Sequence, residues 1–406
     1  MKPRVAILAD YALPDGGAPK VAVESARALA EAGHRVHYLH AVGEAADPLL
    51  DHPAIETVGF GEASVWESSG VAGAIRGLWN REAAARLARE LAAREGPDLA
   101  VHLHQWTKAF SPAIFATLRR RGRPWAITLH DHFLACPTGA FYRFDRAEPC
   151  DLRPLSAACL TARCDPRSSA HKAVRIARSA ILRRTLAGAA FHAVHVSELG
   201  RRTIAPFLPP GARQRLIANP VRIARGAPAA LPADGPALYV GRFTREKGAD
   251  IAAAAAARAG WPALFVGEGP AEAAIRAAHP GAEIVPWAPP AEIDRLLRSR
   301  ARALLAPSRW PETGPLTVFE AMAAGVPVVG STLSGAAERL TDGVTGHVVA
   351  PTPEANARAL DVLAGPGRAA AMGAAAFDDY WARPQDFAAH AADLGRLYGD
   401  MLDAQD

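Results

Sequence analysis

The sequence predicts an α/β protein made of two doubly wound, Rossmann-like parallel-sheet domains, and three observations carry that prediction. Apolar runs of strand length alternate with helical patterns from one end of the chain to the other, as βαβ units require. The alternation stops after Asn219-Pro220 at residues 225–236, where Pro228, Pro232 and Pro236 give linker chemistry, and then restarts. Several strand patterns run directly into glycine loops, and such sheets bind ligands at the carboxyl ends of their strands.

Taken in order, strands are expected over residues 4–9, 35–40, 54–60, 99–104, 125–130 and 191–197, with the clearest helices over 18–31 and 81–94. Pro19 suits the first turn of its helix, where a missing N–H leaves nothing unsatisfied. After the linker, strands are expected over 237–241, 263–267, 283–286, 301–306 and 326–330. The tail 377–401 reads as helical with a break at Pro384. The expected domains are 1–222 and 223–379, with the terminal helix 380–406 packing back on the first.

The 406 residues are half apolar and 21% charged, ordinary globular composition with enough chain for two cores. The net charge of +5 conceals a strong asymmetry: residues 108–222 hold 20 basic and 6 acidic side chains, while the flanks are acidic. A block this basic points to an anionic surface or substrate in the first half. No apolar run approaches the roughly 18 residues that cross a bilayer, and the first residues read as a strand rather than a secretory signal. A cytoplasmic protein is expected.

Two further features of that basic segment leave alternatives open. In residues 168–184 (SSAHKAVRIARSAILRR), Val174, Ala177 and Ile181 share one helical face, while Lys172, Arg175, Arg178 and Arg183 crowd the opposite arc. Such a helix either lies on an anionic membrane surface or is the solvated helix of an ordinary domain. Nucleic acid is not expected, because aromatic interleaving and recognition motifs are missing. Cys136, Cys150, Cys159 and Cys164 follow a C-x13-C-x8-C-x4-C spacing, for which a structural zinc, reduced thiols and disulfides all stay in play.

The chemistry-bearing residues sit mostly in loops. Gly16-Gly17, GRFTREKG (241–248) and GEGP (267–270) each follow a strand. Glycines there let backbone N–H groups approach a phosphate at a helix N-terminus, although any one of them also suits a tight turn. Arg242 and Lys247 flank the second loop, one a bidentate fork and the other a point charge, and together can neutralise a diphosphate. Glu312 falls on a loop between Pro311 and Pro315, and Glu320 falls among Leu316, Val318, Phe319 and Met322 on the next helix. A carboxylate in that company needs a partner, from ribose hydroxyls or from the protein itself.

The combination of GRFTREKG, GEGP, PSRWPETGPLTVFEAMAAGVPVV and ERLTDGVTGHVV resembles the group 1, or family 4, retaining glycosyltransferases of the GT-B fold, in which two Rossmann-like domains face a central cleft. Glu312 and Glu320 stand at the spacing of the family's two-glutamate motif. The resemblance implies that Arg242 and Lys247 hold the diphosphate of a nucleotide-sugar donor, a UDP- or GDP-sugar, with Gly16, Gly17 and the backbone N–H groups of Gly314, Leu316 and Thr317 also near the phosphates or sugar. It implies that Glu320 binds the ribose, that Gly267, Gly269 and Trp287 border the nucleoside, and that Glu312 and His130 face the donor sugar. His102, His104 and His132 lie close to His130 in sequence and rank behind it. Thr313 departs from the Phe common at that position, so the pocket wall there differs.

The activity implied is transfer of a hexose with retention, without a metal cofactor, to a glycan acceptor. A lipid-linked glycan in polysaccharide biosynthesis, made by a protein peripheral to the cytoplasmic membrane, is the first expectation. Glycosylation of a small soluble metabolite, and a nucleotide-sugar epimerase or hydrolase, are the alternatives.

Overall fold

The structure, a computed structural model, describes residues 2–14, 16–65 and 70–403; the last three residues of the expected terminal helix lie outside them. The first sheet is formed by β1 (Arg4–Ala9), β2 (Val36–Val42), β3 (Ile55–Glu62), β4 (Leu99–Leu103) and β5 (Trp125–Leu129). A short hairpin, β6 (Tyr142–Arg143) with β7 (Glu148–Pro149), precedes its last two strands, β8 (Phe191–His195) and β9 (Ala212–Leu216). The order is β3-β2-β1-β4-β5-β8-β9 and the pairs are parallel. β1, β4, β5 and β8 are buried almost throughout. Such strands read as unbroken apolar runs because both faces of a parallel sheet are covered.

The second sheet contains β10 (Ala237–Val240), β11 (Ala263–Val266), β12 (Glu283–Val285), β13 (Ala303–Ala306), β14 (Val328–Ser331) and β15 (Gly346–Val349), in the order β12-β11-β10-β13-β14-β15 and again parallel. Each sheet thus reverses its direction of growth beside its first strand, between β1 and β4 and between β10 and β13. That reversal opens a crevice at the strands' carboxyl ends. The edge strands β9 and β15 were not expected from the sequence. β9, ARQRL, is largely exposed and carries Arg213 and Arg215, charged side chains of the kind that protect a sheet edge from further pairing.

The chain divides into two compact units, 1–141 with 151–222 and 386–406, and 142–150 with 223–385. The β6–β7 hairpin therefore groups with the second unit. The tail holds two helices, Arg368–Ala382 in the second unit and Phe387–Asp403 in the first. Leu394, Leu397, Tyr398 and Met401 of the latter are buried with Leu29, Val36 and Tyr38. Among the described residues no helix is long and apolar enough to cross a membrane.

The basic helix, Ser169–Leu186, reverses the expected orientation. Lys172, Arg175 and Arg178 are buried, whereas Val174, Ala177 and Ile181 are only half-buried. The cations turn inward because the irregular chain before the helix leaves carbonyls that need donors. Lys172 Nζ donates to the carbonyl oxygens of Cys159 (2.6 Å) and Ala162, Arg178 Nη1 to that of Thr107 (3.1 Å), and Arg175 pairs with Asp165 at 3.2 Å. The charges expected to meet anionic lipid are thus spent internally, and Arg183 and Arg184 are the ones left exposed near the helix end.

The zinc expectation also finds no support: among the described residues no group of three or more His, Cys, Asp or Glu side chains is placed to hold a metal ion. All four cysteines are free thiols, with Cys136, Cys159 and Cys164 buried. Burial raises the Cys164 thiol above its ordinary pKa, against the pull of the Lys172 ammonium, and Cys136 and Cys159 are close enough to add to the rise.

Candidate functional site

In the second unit, the crevice between β10 and β13 gathers the residues singled out by the sequence. Gly241 leaves β10 with its N–H bonded to Val266 O (3.0 Å), and Phe243 N–H reaches Glu268 O (2.8 Å), so the GRFTREKG and GEGP loops interlock. Their glycines are sterically required. A Cβ on Gly267 (φ +140°) would stand 2.1 Å from Gly241 O, and one on Gly248 (φ +75°) 2.1 Å from Pro307 O. Gly248 caps the helix Ala249–Arg258, and Asp250 in its first turn takes a bidentate pair from Arg309 (2.6 and 2.7 Å). Arg309 N–H also bonds Glu246 O (2.8 Å), which ties the loop after β10 to the loop after β13.

At that junction Lys247 and Glu312 form an ion pair, and Ser308 Oγ donates to the other carboxylate oxygen. Lys247 lies over the ring of Trp310, 5.5 Å from its centroid. Glu312 is buried, and its backbone is pinned on both sides: its N–H bonds Leu333 O (2.9 Å) and its carbonyl accepts from Gly335 N–H (2.8 Å). Ser331 Oγ in turn donates to Ser308 O (2.7 Å). Arg242 is exposed on the same loop as Lys247, and Tyr239 Oη supports it by donating to the Arg242 carbonyl (3.0 Å).

The helix Leu316–Ala324 starts next to this pair. Pro315 is its N-cap and no side chain caps it, so the N–H groups of its first turn, including those of Leu316 and Thr317, carry the positive end of the helix dipole without an internal side-chain partner. Gly314, Leu316, Thr317 and Glu320 are half-buried. Trp287, just beyond β12, is 58% exposed.

In the first unit, Gly16 (φ +101°) precedes the helix Gly17–Glu31, which also lacks a side-chain cap, and a Cβ on Gly16 or Gly17 would meet nothing within 4 Å. These two glycines border open space. Across the crevice, the end of β1 is tied to the loop after β4 by Asp10, a fully buried carboxylate that accepts from the N–H groups of Lys108 (2.8 Å), Ala109 (3.0 Å) and Phe110 (3.4 Å). Burial raises its pKa against those bonds.

His130 leaves β5 and shares a 3.1 Å hydrogen bond between its Nε2 and His104 Nδ1, with the two rings stacked at 5.3 Å. His104 is 4.5 Å from His102, whose ring bonds Tyr398 Oη (2.7 Å) and Thr128 Oγ1 (2.8 Å). His390, bonded to Ser25 Oγ (2.8 Å) and Ala218 O (2.9 Å), completes the set. Burial and then the neighbouring imidazoles hold these rings neutral: His102 and His130 fall to about 3, His390 falls to about 4 by burial, and His104 falls well below its ordinary value. Burial pushes the adjacent Asp131 up to about 6. His132 is buried as well and stacks edge-on against Phe141 (5.3 Å).

Sequence reasoning missed Ser308, Arg309, Asp10, Tyr398 and His390. Ser308 and Arg309 flank the glutamate loop and carry the only local signal. The others join through the sheet or from the far end of the chain, where no spacing rule applies.

Two family models match the chain: Glycosyltransferase Family 4 over residues 15–225 and Glycosyl transferases group 1 over residues 236–365. No curated protein matches it significantly in sequence. Among solved structures, it is similar to sucrose-phosphate synthase from Thermosynechococcus elongatus (20% identity, 99% of this chain and 100% of that one, TM-score 0.73). HepE of Anabaena in complex with UDP and glucose (15%, 98% and 99%, 0.66) and WaaG, a glycosyltransferase involved in lipopolysaccharide biosynthesis (17%, 97% and 99%, 0.65), are also similar. At these identities the likeness speaks for the fold. Two parallel-sheet α/β units, matched in turn by the two family models, make the chain a member of the group 1, family 4 glycosyltransferases with the GT-B fold.

Proposed function

We propose that the protein transfers a sugar, with retention of configuration, from a UDP- or GDP-sugar to a hydroxyl of a glycan acceptor. The observation that carries this reading is the Lys247–Glu312–Ser308 cluster beside the uncapped start of the helix Leu316–Ala324. An anion arriving there meets one cation already in place, a second in the exposed Arg242, and aligned backbone N–H groups. These can stabilise the charge that grows on a leaving diphosphate, the work a divalent cation does in other sites.

In the transfer, the bond between the anomeric carbon and the diphosphate oxygen breaks as the acceptor oxygen bonds to the same face of that carbon. The acceptor's proton passes to the departing phosphate oxygen. Glu312, held by Lys247 and Ser308, orients donor hydroxyls and faces the developing positive charge on the ring. Glu320 takes the ribose, and Gly267, Gly269 and Trp287 border the base. In the first unit, neutral His130 offers a hydrogen bond to the sugar, and Gly16-Gly17 leave room for phosphates or acceptor. UDP and UDP-glucose, bound by HepE of Anabaena, are the first donors to try.

The test is product formation over a panel of UDP- and GDP-sugars with glycan acceptors, repeated with Glu312→Gln and with Arg242→Ala/Lys247→Ala. Turnover that needs acceptor and is lost in the variants supports the reading. Release of free sugar or of an epimer at full rate without acceptor overturns it.

A further inference from the structure

A cavity of about 810 Å³ lies in the first unit at the amino ends of β5, β8 and β9, the end of the sheet opposite its crevice. Arg119, Arg123, Arg213 and His192 line it, and no acidic side chain does. The volume is in the range that accepts a small ligand. A single phosphate, a few times the ~30 Å³ of a water molecule, would fill only part of it. The aromatic members of the wall present no ring face, because Trp125 and Phe191 are each 1% exposed and stack on one another at 4.6 Å. What a ligand meets is guanidinium, with Arg119 and Arg213 exposed, and small residues, with Gly122, Gly188 and Ala190 exposed. Such a wall recognises charge and has nothing on which to stack a nucleobase.

The charge exceeds what the fold itself needs. Two helices end beside the cavity, Ala113–Arg120 with Arg119 and Arg120 in its last turn and Ser169–Leu186 with Arg183 and Arg184 in its own. Arg119 Nη1 joins the two ends by donating to Thr185 O (2.6 Å). Arg121 and Arg123 share the single carboxylate of Glu95 (2.8 and 2.7 Å), and Arg213 has no side-chain hydrogen bond or ion pair among the described residues. Each helix carboxyl end is equivalent to about −0.5 charge, so the two ends and Glu95 offset about two of these seven guanidinium groups and leave a surplus of about five. His192 registers the excess: burial, and then the cations of Arg215 and Arg213, bring it down to about 4 despite Asp400.

We propose that this cavity binds a compact anion that carries several phosphate groups and no base, its oxygens accepting from Arg119 and Arg213. Guanidinium forks match phosphate oxygens two at a time, and the absence of an exposed ring selects against nucleotides. The site is separate from the donor residues of the second unit and does not depend on the transferase reading. It gives the positive charge of residues 108–222 a use at the surface, which the inward-turned Lys172, Arg175 and Arg178 do not.

Isothermal titration of the full chain with inorganic tripolyphosphate tests the proposal, with orthophosphate and ATP at matched ionic strength as comparison arms. One saturable site, at least tenfold tighter for tripolyphosphate than for orthophosphate, is expected. Arg119→Ala and Arg213→Ala should each weaken it about tenfold, the loss of one charge-assisted contact. Ala190→Glu, at an exposed position on the wall, should weaken it similarly by adding a carboxylate, whereas Arg242→Ala/Lys247→Ala should leave it unchanged. All three positions varied in the first unit are exposed, so the core is untouched. Loss of binding in the Arg242/Lys247 double variant with retention in Arg213→Ala and Ala190→Glu would put the anion on the second unit's cations and overturn the site. Equal affinity for orthophosphate, or tighter binding of ATP than of tripolyphosphate, would overturn the ligand class. No saturable binding at all would overturn both.

Discussion

Gly248→Ala is the sharpest probe of how the second unit holds the loops after β10 and β13 together. The added methyl would start 2.1 Å from Pro307 O and 2.9 Å from Pro307 C, and contacts of real Cβ atoms essentially never fall under 3.0 Å. The two loops must therefore part by about 0.9 Å, from 2.1 to 3.0 Å. Ala must also hold φ near +75°, which costs about 1–2 kcal/mol on its own. Gly367→Ala separates these terms, because Gly367 has φ +69° in the same unit and its Cβ would meet nothing within 4 Å. That control should lose only the conformational term, ~2–8 °C in Tm at ~2–4 °C per kcal/mol.

Gly248→Ala should fall further in Tm. Separation of Lys247 from Ser308 and Glu312 should weaken UDP or GDP binding by about tenfold or more, and a misplacement near 1 Å can lower turnover by about 10²-fold. Scanning calorimetry gives the first quantity and isothermal titration the second. If Gly248→Ala binds nucleoside diphosphate as tightly as Gly367→Ala, the Pro307 contact does not position the site and the reasoning fails.

Other expectations follow from the same contacts. Lys247→Met should leave the buried Glu312 carboxylate with Ser308 alone and destabilise the fold by about 1–3 kcal/mol, whereas Lys247→Met/Glu312→Gln should recover that loss without recovering nucleotide binding; urea unfolding and titration calorimetry read the two. Arg309→Lys should give up the bidentate pair with Asp250 for about 0.5–1.5 kcal/mol and loosen diphosphate binding, while equal affinity would show that the loop-to-loop tie is dispensable. Stability should decline as pH falls below about 6.5, because the unfolded chain protonates His102, His104, His130 and His390 while burial keeps the folded rings neutral, those of His102 and His130 down to about 3 and that of His390 down to about 4. Asp131 works the other way between its ordinary 3.8 and about 6, since only the folded state keeps that proton, so the slope should steepen in Asp131→Asn; denaturant titration from pH 5 to 8 checks both. Cys136, Cys159 and Cys164 should react with a thiol reagent only on unfolding, and a zinc chelator should leave Tm unchanged.

The glycine loops of the second unit were legible because their signal is local: glycines and flanking cations fall within a few residues of a strand end, whereas the pairing of Lys247 with Glu312, 65 positions apart, is made by the fold. The buried strands were legible for the same reason. What escaped was set by partners distant in sequence. No pattern in ARQRL announces a strand, because β9 is an edge whose polar residues face water. Helical periodicity placed Lys172, Arg175 and Arg178 on one arc correctly, but could not say that unpaired carbonyls on the preceding chain would turn that arc inward. His130 could be picked out by its place at a strand end, whereas its support passes through His104 and His102 to Tyr398, nearly three hundred positions later.

The return of the helix Phe387–Asp403 to the first unit has a consequence for biosynthesis. Leu394, Leu397, Tyr398 and Met401 fill the core against Leu29, Val36 and Tyr38, and Tyr398 and His390 hold the imidazole chain behind His130. On the ribosome, the amino-terminal half emerges first yet must wait with that apolar face uncovered until the intervening second unit has been translated. A helix made after the second unit is thus the closing stitch of the first unit's fold, and nascent chains stalled in the second unit should be the form of this protein that depends most on chaperones.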